Sequence, residues 1–173
     1  MVNTLLINSI RFLFLAFFQV FILNNLEIGW GIYPMIYPLF ILLLPFEMST
    51  ILLLVISFFF GLTIDSFSNT FGLHTSAALI FAYFRPLVFK LFAPRDGYEN
   101  VETSTVYAMG FRWFLSAVGL LLLIHHTWFF MLEVFKWNEF GLIVTKIVCS
   151  VPLTFGLFLL VQFIFSSRKA TIR

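Results

Sequence analysis

Gly61 to Pro86 reads GLTIDSFSNTFGLHTSAALIFAYFRP. Two apolar runs flank a polar turn, with Asp65 closing the first, His74 opening the second and Arg85 further along it. Only 10% of the chain is charged, and ionisable groups set into apolar runs are costly and therefore informative. The pattern predicts two membrane-crossing helices joined by a short turn, and the rest of the chain extends it.

Of the 173 residues, 61% are hydrophobic, 20% are aromatic and 26 are Phe, and the mean hydropathy is +1.04. Soluble domains are about 45–50% apolar, so the composition is that of an integral membrane protein. At about 20 residues per spanning helix, the length predicts five or six helices in a single transmembrane domain, with no room for a soluble one. The net charge of +2 comes from ten Lys and Arg spread over segment ends, which gives no basic stripe for nucleic acid. The lone Cys149 reads as a small buried hydrophobe without a disulfide.

The apolar periodicity predicts helices over about 4–23, 31–44, 49–64, 73–92, 105–132 and 140–165. In the first, the apolar stretch from Phe12 to Leu23 follows Arg11, but Asn24-Asn25-Leu26-Glu27 offers no small-x-small cleavage site, so it reads as a retained helix. The second is punctuated by Pro34, Pro38 and Pro45. A short helix bent near Pro38, anchored at the interface by Trp30, Tyr33 and Tyr37, fits that spacing best. Pro45 to Ser49 reads as a tight turn, with Ser49 or Thr50 capping the third helix. The only sizeable hydrophilic stretch is APRDGYENVETS, from Ala93 to Ser104.

Lys and Arg near segment ends set orientation. With the N-terminus inside, the inner side collects eight (Arg11, Arg85, Lys90, Arg95, Arg112, Arg168, Lys169 and Arg173) against Lys136 and Lys146 outside. The expectation is therefore an all-α bundle of six transmembrane helices with both termini cytoplasmic.

In that topology Asp65 and His74 meet near the outer surface, where a carboxylate and an imidazole can hydrogen-bond and fix the approach of two helices. Whether the pair binds a partner or only caps and clamps the helices is open from sequence. Arg85, Arg112 and Arg11 fall in one inner-leaflet band with no carboxylate near them in sequence. They fit either lipid phosphates or a partner's acidic groups, or simple snorkelling to the interface. Ala78 and Ala82 have the small-xxx-small spacing of close helix packing. His125 and His126 are adjacent and diverge by about 100° on a helix, unlike an i, i+4 metal-binding pair. No zinc spacing, P-loop or nucleophile elbow appears, so no catalytic residue, cofactor or metal is expected.

The residues Gly61-Leu62-Thr63-Ile64-Asp65, with Phe71-Gly72-Leu73-His74 and Ala77-Ala78, give the chain a resemblance to the rod shape-determining protein MreD family. The specific part covers about 25 residues; elsewhere the agreement is in hydropathy alone. The positions that carry over are Gly61, Asp65, Gly72 and His74. The resemblance implies a non-enzymatic subunit of the bacterial inner membrane that helps to maintain cell shape. It would bind MreC, a membrane-anchored periplasmic protein, and link cytoplasmic MreB filaments to a peptidoglycan polymerase and transpeptidase. The rival reading is a small-molecule transporter, or the substrate-binding membrane subunit of an uptake system. Such a protein needs several polar groups converging near the membrane midplane, and few stand out in this sequence. A membrane-embedded enzyme acting on lipid-linked substrates lacks any reactive constellation.

Overall fold

The computed structural model describes residues 2–26, 28, 29, 31–95, 97, 98 and 103–165, the side chains of 2–4 and 137 excepted. Glu27, Trp30, Arg168, Lys169 and Arg173 lie outside the described residues, as does much of the 93–104 stretch. Among the described residues every regular element is helical. In chain order these are α1 (Val2–Phe21), α2 (Pro38–Leu42), α3 (Thr50–Ser68), α4 (Leu73–Leu91), α5 (Val106–Met109), α6 (Phe111–Val134) and α7 (Phe140–Phe165).

Helices from α1, α3, α6 and α7 are long and apolar enough to cross a membrane. Length is not what sets α4 apart, since it has 19 residues like α3. His74, Arg85 and Lys90 lower its hydropathy, and its place in the bundle explains why they are tolerated. It packs against α3 on one side and α6 on another, with α2 alongside. Ala77, Ala78 and Ala82 are buried on it, so the small-residue spacing serves packing within the chain. Phenylalanines fill the wider gaps: the rings of Phe12, Phe40 and Phe60 meet at 4.5–5.5 Å and tie α1, α2 and α3 together.

Two expectations need correction. The second predicted helix, 31–44, is helical only over Pro38–Leu42; Ile32 to Ile36 are irregular. Proline explains the break. In a continuous helix the Pro34 carbonyl would receive the N–H of residue 38, but residue 38 is proline and has none. Pro38 instead takes the first helical position of α2, where a missing N–H costs nothing. The fifth predicted helix is interrupted as well. Gly110, at φ +80, separates α5 from α6, and α6 contains a π-helical stretch at Phe114–Val118.

The bundle has two ends. One carries the 69–72 turn and the 135–139 connection, held near each other because the His74 ring stands 5.0 Å from that of Phe129. The other carries Pro45 to Ser49 and the described residues that follow α4, among them Tyr98. There the rings of Phe46, Phe89, Tyr98 and Trp113 cluster, and the Tyr98 hydroxyl donates to the Phe89 carbonyl at 2.6 Å. The segment from Gly31 to Pro45 runs from the first end to the second. Gly31 lies against Lys146, whose Nζ bonds Glu133, while the Pro45 carbonyl lies against Arg85.

Candidate functional site

Asn69, in the left-handed conformation, ends α3, and Gly72 at φ +92 begins α4. A glycine at the cap position has no side chain for the free N–H groups of the first helical turn. Asp65, reaching across from α3, supplies the acceptor. Its Oδ1 takes the His74 N–H at 3.0 Å and its Oδ2 the Thr75 N–H at 2.8 Å. Side chains complete the shell: Thr75 Oγ1 donates to Oδ2 at 2.5 Å, while Thr70 Oγ1 and His74 Nδ1 donate to Oδ1 at 2.5 and 3.1 Å.

Five donors thus meet a buried carboxylate, which offers about four lone-pair sites. Nothing is left for a ligand unless a bond is broken. The negative charge also faces the positive end of the α4 dipole. Gly61, one turn earlier on α3, makes the close approach sterically feasible: a Cβ there would fall 2.5 Å from Thr75 Cα. Gly72 is needed for its backbone angle, since a Cβ there meets nothing within 4 Å.

Arg85 is not a snorkelling cation. It is 2% exposed and its guanidinium closes the end of α2, donating to the carbonyls of Leu42, Leu44 and Pro45. It lies over the faces of Phe89 at 4.8 Å and Phe46 at 5.9 Å. The freed carbonyls at a helix C-terminus are the natural partner of a cation, and Ser104 adds a second donor to Leu42. Arg85 is thus satisfied within the protein and is not available to a lipid phosphate or a partner. Arg112 is exposed at the start of α6, and Arg11 is half-buried and donates to Asn8 at 3.3 Å.

The irregular 32–37 segment is the other unusual feature. Non-helical backbone within a membrane is tolerated only where protein or a water-lined cavity surrounds it. Here side chains of α1 and α7 take its polar groups. Gln19 accepts from the N–H of Ile36 at 2.8 Å and donates to the Pro34 carbonyl at 3.3 Å. Ser150 and Thr154 accept from the N–H groups of Tyr33 and Met35, both at 3.1 Å. Tyr37 is fully buried and not an interfacial anchor; its hydroxyl lies 2.6 Å from His125 Nε2.

His125 and His126 are both buried, with ring centroids 5.1 Å apart. The hydrogen-bond network assigns their tautomers. Thr154 spends its proton on His126 Nε2 at 3.1 Å, so the other nitrogen, Nδ1, donates to the Leu122 carbonyl at 2.9 Å. His125 Nδ1, 3.4 Å from that same Nδ1–H, is then the acceptor, and its Nε2–H donates to Tyr37. Among the described residues no three metal-binding side chains converge.

Of the residues singled out in the sequence, Gly61, Asp65, Gly72 and His74 come together at one helix–helix junction, whereas Arg85 is bound to the 42–45 carbonyls and Arg112 is exposed at the start of α6. Gln19, Thr70, Ser104, Ser150 and Thr154 carry no functional reading in the sequence, and Tyr37 reads there only as an interfacial anchor. A signal existed for part of that set. Ser150, Thr154, Phe158 and Gln162 recur every fourth residue of α7, which places them on one face, and all four are buried.

Fold and site together define an all-helical membrane protein whose buried polar side chains hold an irregular internal segment and a capped helix pair. Comparison of the chain with protein-family models, with curated proteins and with solved structures returned no match.

Proposed function

We propose that the chain is a non-enzymatic scaffold of the bacterial inner membrane, MreD-like, which binds an MreC-like periplasmic partner and couples MreB-like filaments to a peptidoglycan polymerase and transpeptidase. The observation that carries this reading is the Asp65 junction. Its carboxylate is consumed by five internal donors, which suits a part that holds two helices at a set angle better than one that turns over a substrate. In this reading α4 and the Gly31–Pro45 segment complete four apolar helices to six crossings, with both termini cytoplasmic and the 69–72 turn outside. Depletion in the native cell, followed by microscopy, tests the proposal. Rods that round up are the expected result, and unchanged shape overturns it.

One observation favours the uptake-subunit reading. The irregular segment brings Tyr37 to His125, next to His126 and Thr154, and these lie near the middle of α6 and α7, where broken helices build transporter sites. The polar convergence missing from the sequence pattern is therefore present in space, although each group is already bonded within the protein. Saturable binding of a small solute by the purified protein, with a nutrient requirement on depletion, would favour this reading over the scaffold.

A further inference from the structure

Phe71 and Phe135 combine two features that a fold ordinarily avoids. Their backbones lie at φ +41 and +43, where a bulky residue is a genuine outlier. Their rings are 96% and 82% exposed, so no internal packing offsets the strain. Phe135 occupies the left-handed position that ends α6, its N–H bonded to the Met131 carbonyl, a position that glycine usually fills. Both residues lie at the same end of the bundle. Phe71 precedes His74 by three residues, Phe129 precedes Phe135 by six, and the His74 and Phe129 rings are 5.0 Å apart.

We propose that these two rings form a lipid-anchoring rim, seated at the boundary between headgroups and acyl chains of the leaflet on that side. Three observations select lipid as the occupant. First, α3 has 19 residues and is about 28 Å long, close to the roughly 30 Å hydrocarbon thickness; Phe71, three residues past its end, falls at the boundary. Second, an exposed aromatic column leads to it along the outer surface of α1 and α3. The rings of Phe17 and Phe21 are 4.8 Å apart and those of Phe21 and Phe67 6.3 Å apart, all three exposed. Third, the water level is marked beside Phe135 by the exposed pair Lys136 and Glu139 at 3.7 Å. Phenylalanine beside basic side chains is the composition of segments that lie at the headgroup–acyl boundary. The rim would set the depth of both helix hairpins, and it stands or falls independently of the scaffold reading.

Nitroxide labels on the full-length protein test the rim. In a Cys149→Ser background, Phe71→Cys, Phe135→Cys and, as a reference on the opposite loop, Ala93→Cys are labelled in vesicles of phosphatidylethanolamine and phosphatidylglycerol. Collision rates with dissolved oxygen, which prefers lipid, are compared with those of an aqueous nickel chelate. The oxygen-to-nickel ratio is expected to be several-fold higher at 71 and 135 than at 93. A ratio at either position equal to that at 93 overturns the proposal, whatever protein later covers the residue. Spin–spin broadening that vanishes on dilution with unlabelled protein also overturns it, because a second copy would then be the occupant.

Discussion

Asp65 shows what a single carboxylate does when it is the only acceptor for a helix start. In bilayers, interhelical hydrogen bonds average about 0.6 kcal/mol and reach about 1.7, so five of them are together worth roughly 3 kcal/mol. Asp65→Ala is therefore expected to destabilise the protein by about 3 kcal/mol in a detergent unfolding titration. A loss below about 0.5 kcal/mol, the range of ordinary surface changes, would show that the junction does not hold the helices. Phe71→Gly should act in the opposite direction. It relieves a left-handed conformation that costs about 1–2 kcal/mol, offset by the chain entropy of glycine, about 0.5–1 kcal/mol. The expected gain is about 0.5–1 kcal/mol in the same assay. The pairing of Asp65 with His74 was legible in the sequence, because both are ionisable and flank one turn. The role of Thr75 was not, since hydroxyls in apolar helices can bond their own preceding turn, as those of Thr63 and Ser66 do here, and Thr70 is an ordinary polar turn residue in the sequence.

At the scale of elements, legibility followed local pattern. The apolar runs of α3, α4 and α7 mark helices by themselves, and the turn residues Asn69 and Gly72 supply the positive φ that their types favour. The 31–44 stretch reads as one helix bent near Pro38, yet only Pro38–Leu42 is helical, because the residues before Pro38 bond elsewhere. Three partners distant in sequence, Gln19, Ser150 and Thr154, satisfy the backbone from outside. No local window contains such information. Gln19→Leu keeps an apolar side chain in α1 but orphans the Ile36 N–H and the Pro34 carbonyl, both buried. Each unsatisfied group costs about 1–3 kcal/mol, so a loss of roughly 2–6 kcal/mol is expected, together with faster amide hydrogen exchange confined to 35–37. Unchanged exchange there would show that the segment does not depend on Gln19.

For the whole molecule, the two ends differ in chemistry as well as in shape. Arg85 binds the carbonyls that end α2, and Tyr98 pins the 93–104 loop beside Trp113. The opposite end offers the Asp65 junction and the exposed Phe71 and Phe135. Among the described residues Arg85, Lys90, Arg95 and Arg112 lie toward the loop end, and positive charge near crossing segments favours the cytoplasmic side. If the Gly31–Pro45 segment and α4 both cross, then residue 93 shares a side with the N-terminus, and residue 71 lies opposite. Cysteines introduced at 69, an exposed position of the same turn, and at 93 in the Cys149→Ser background, probed with a membrane-impermeant maleimide on intact cells, should react at 69 alone, and at 93 only after lysis. Reaction at both positions on intact cells would remove a crossing between them. Reaction at 93 alone would turn the molecule over, placing the Asp65 junction in the cytoplasm and excluding it from any periplasmic interface.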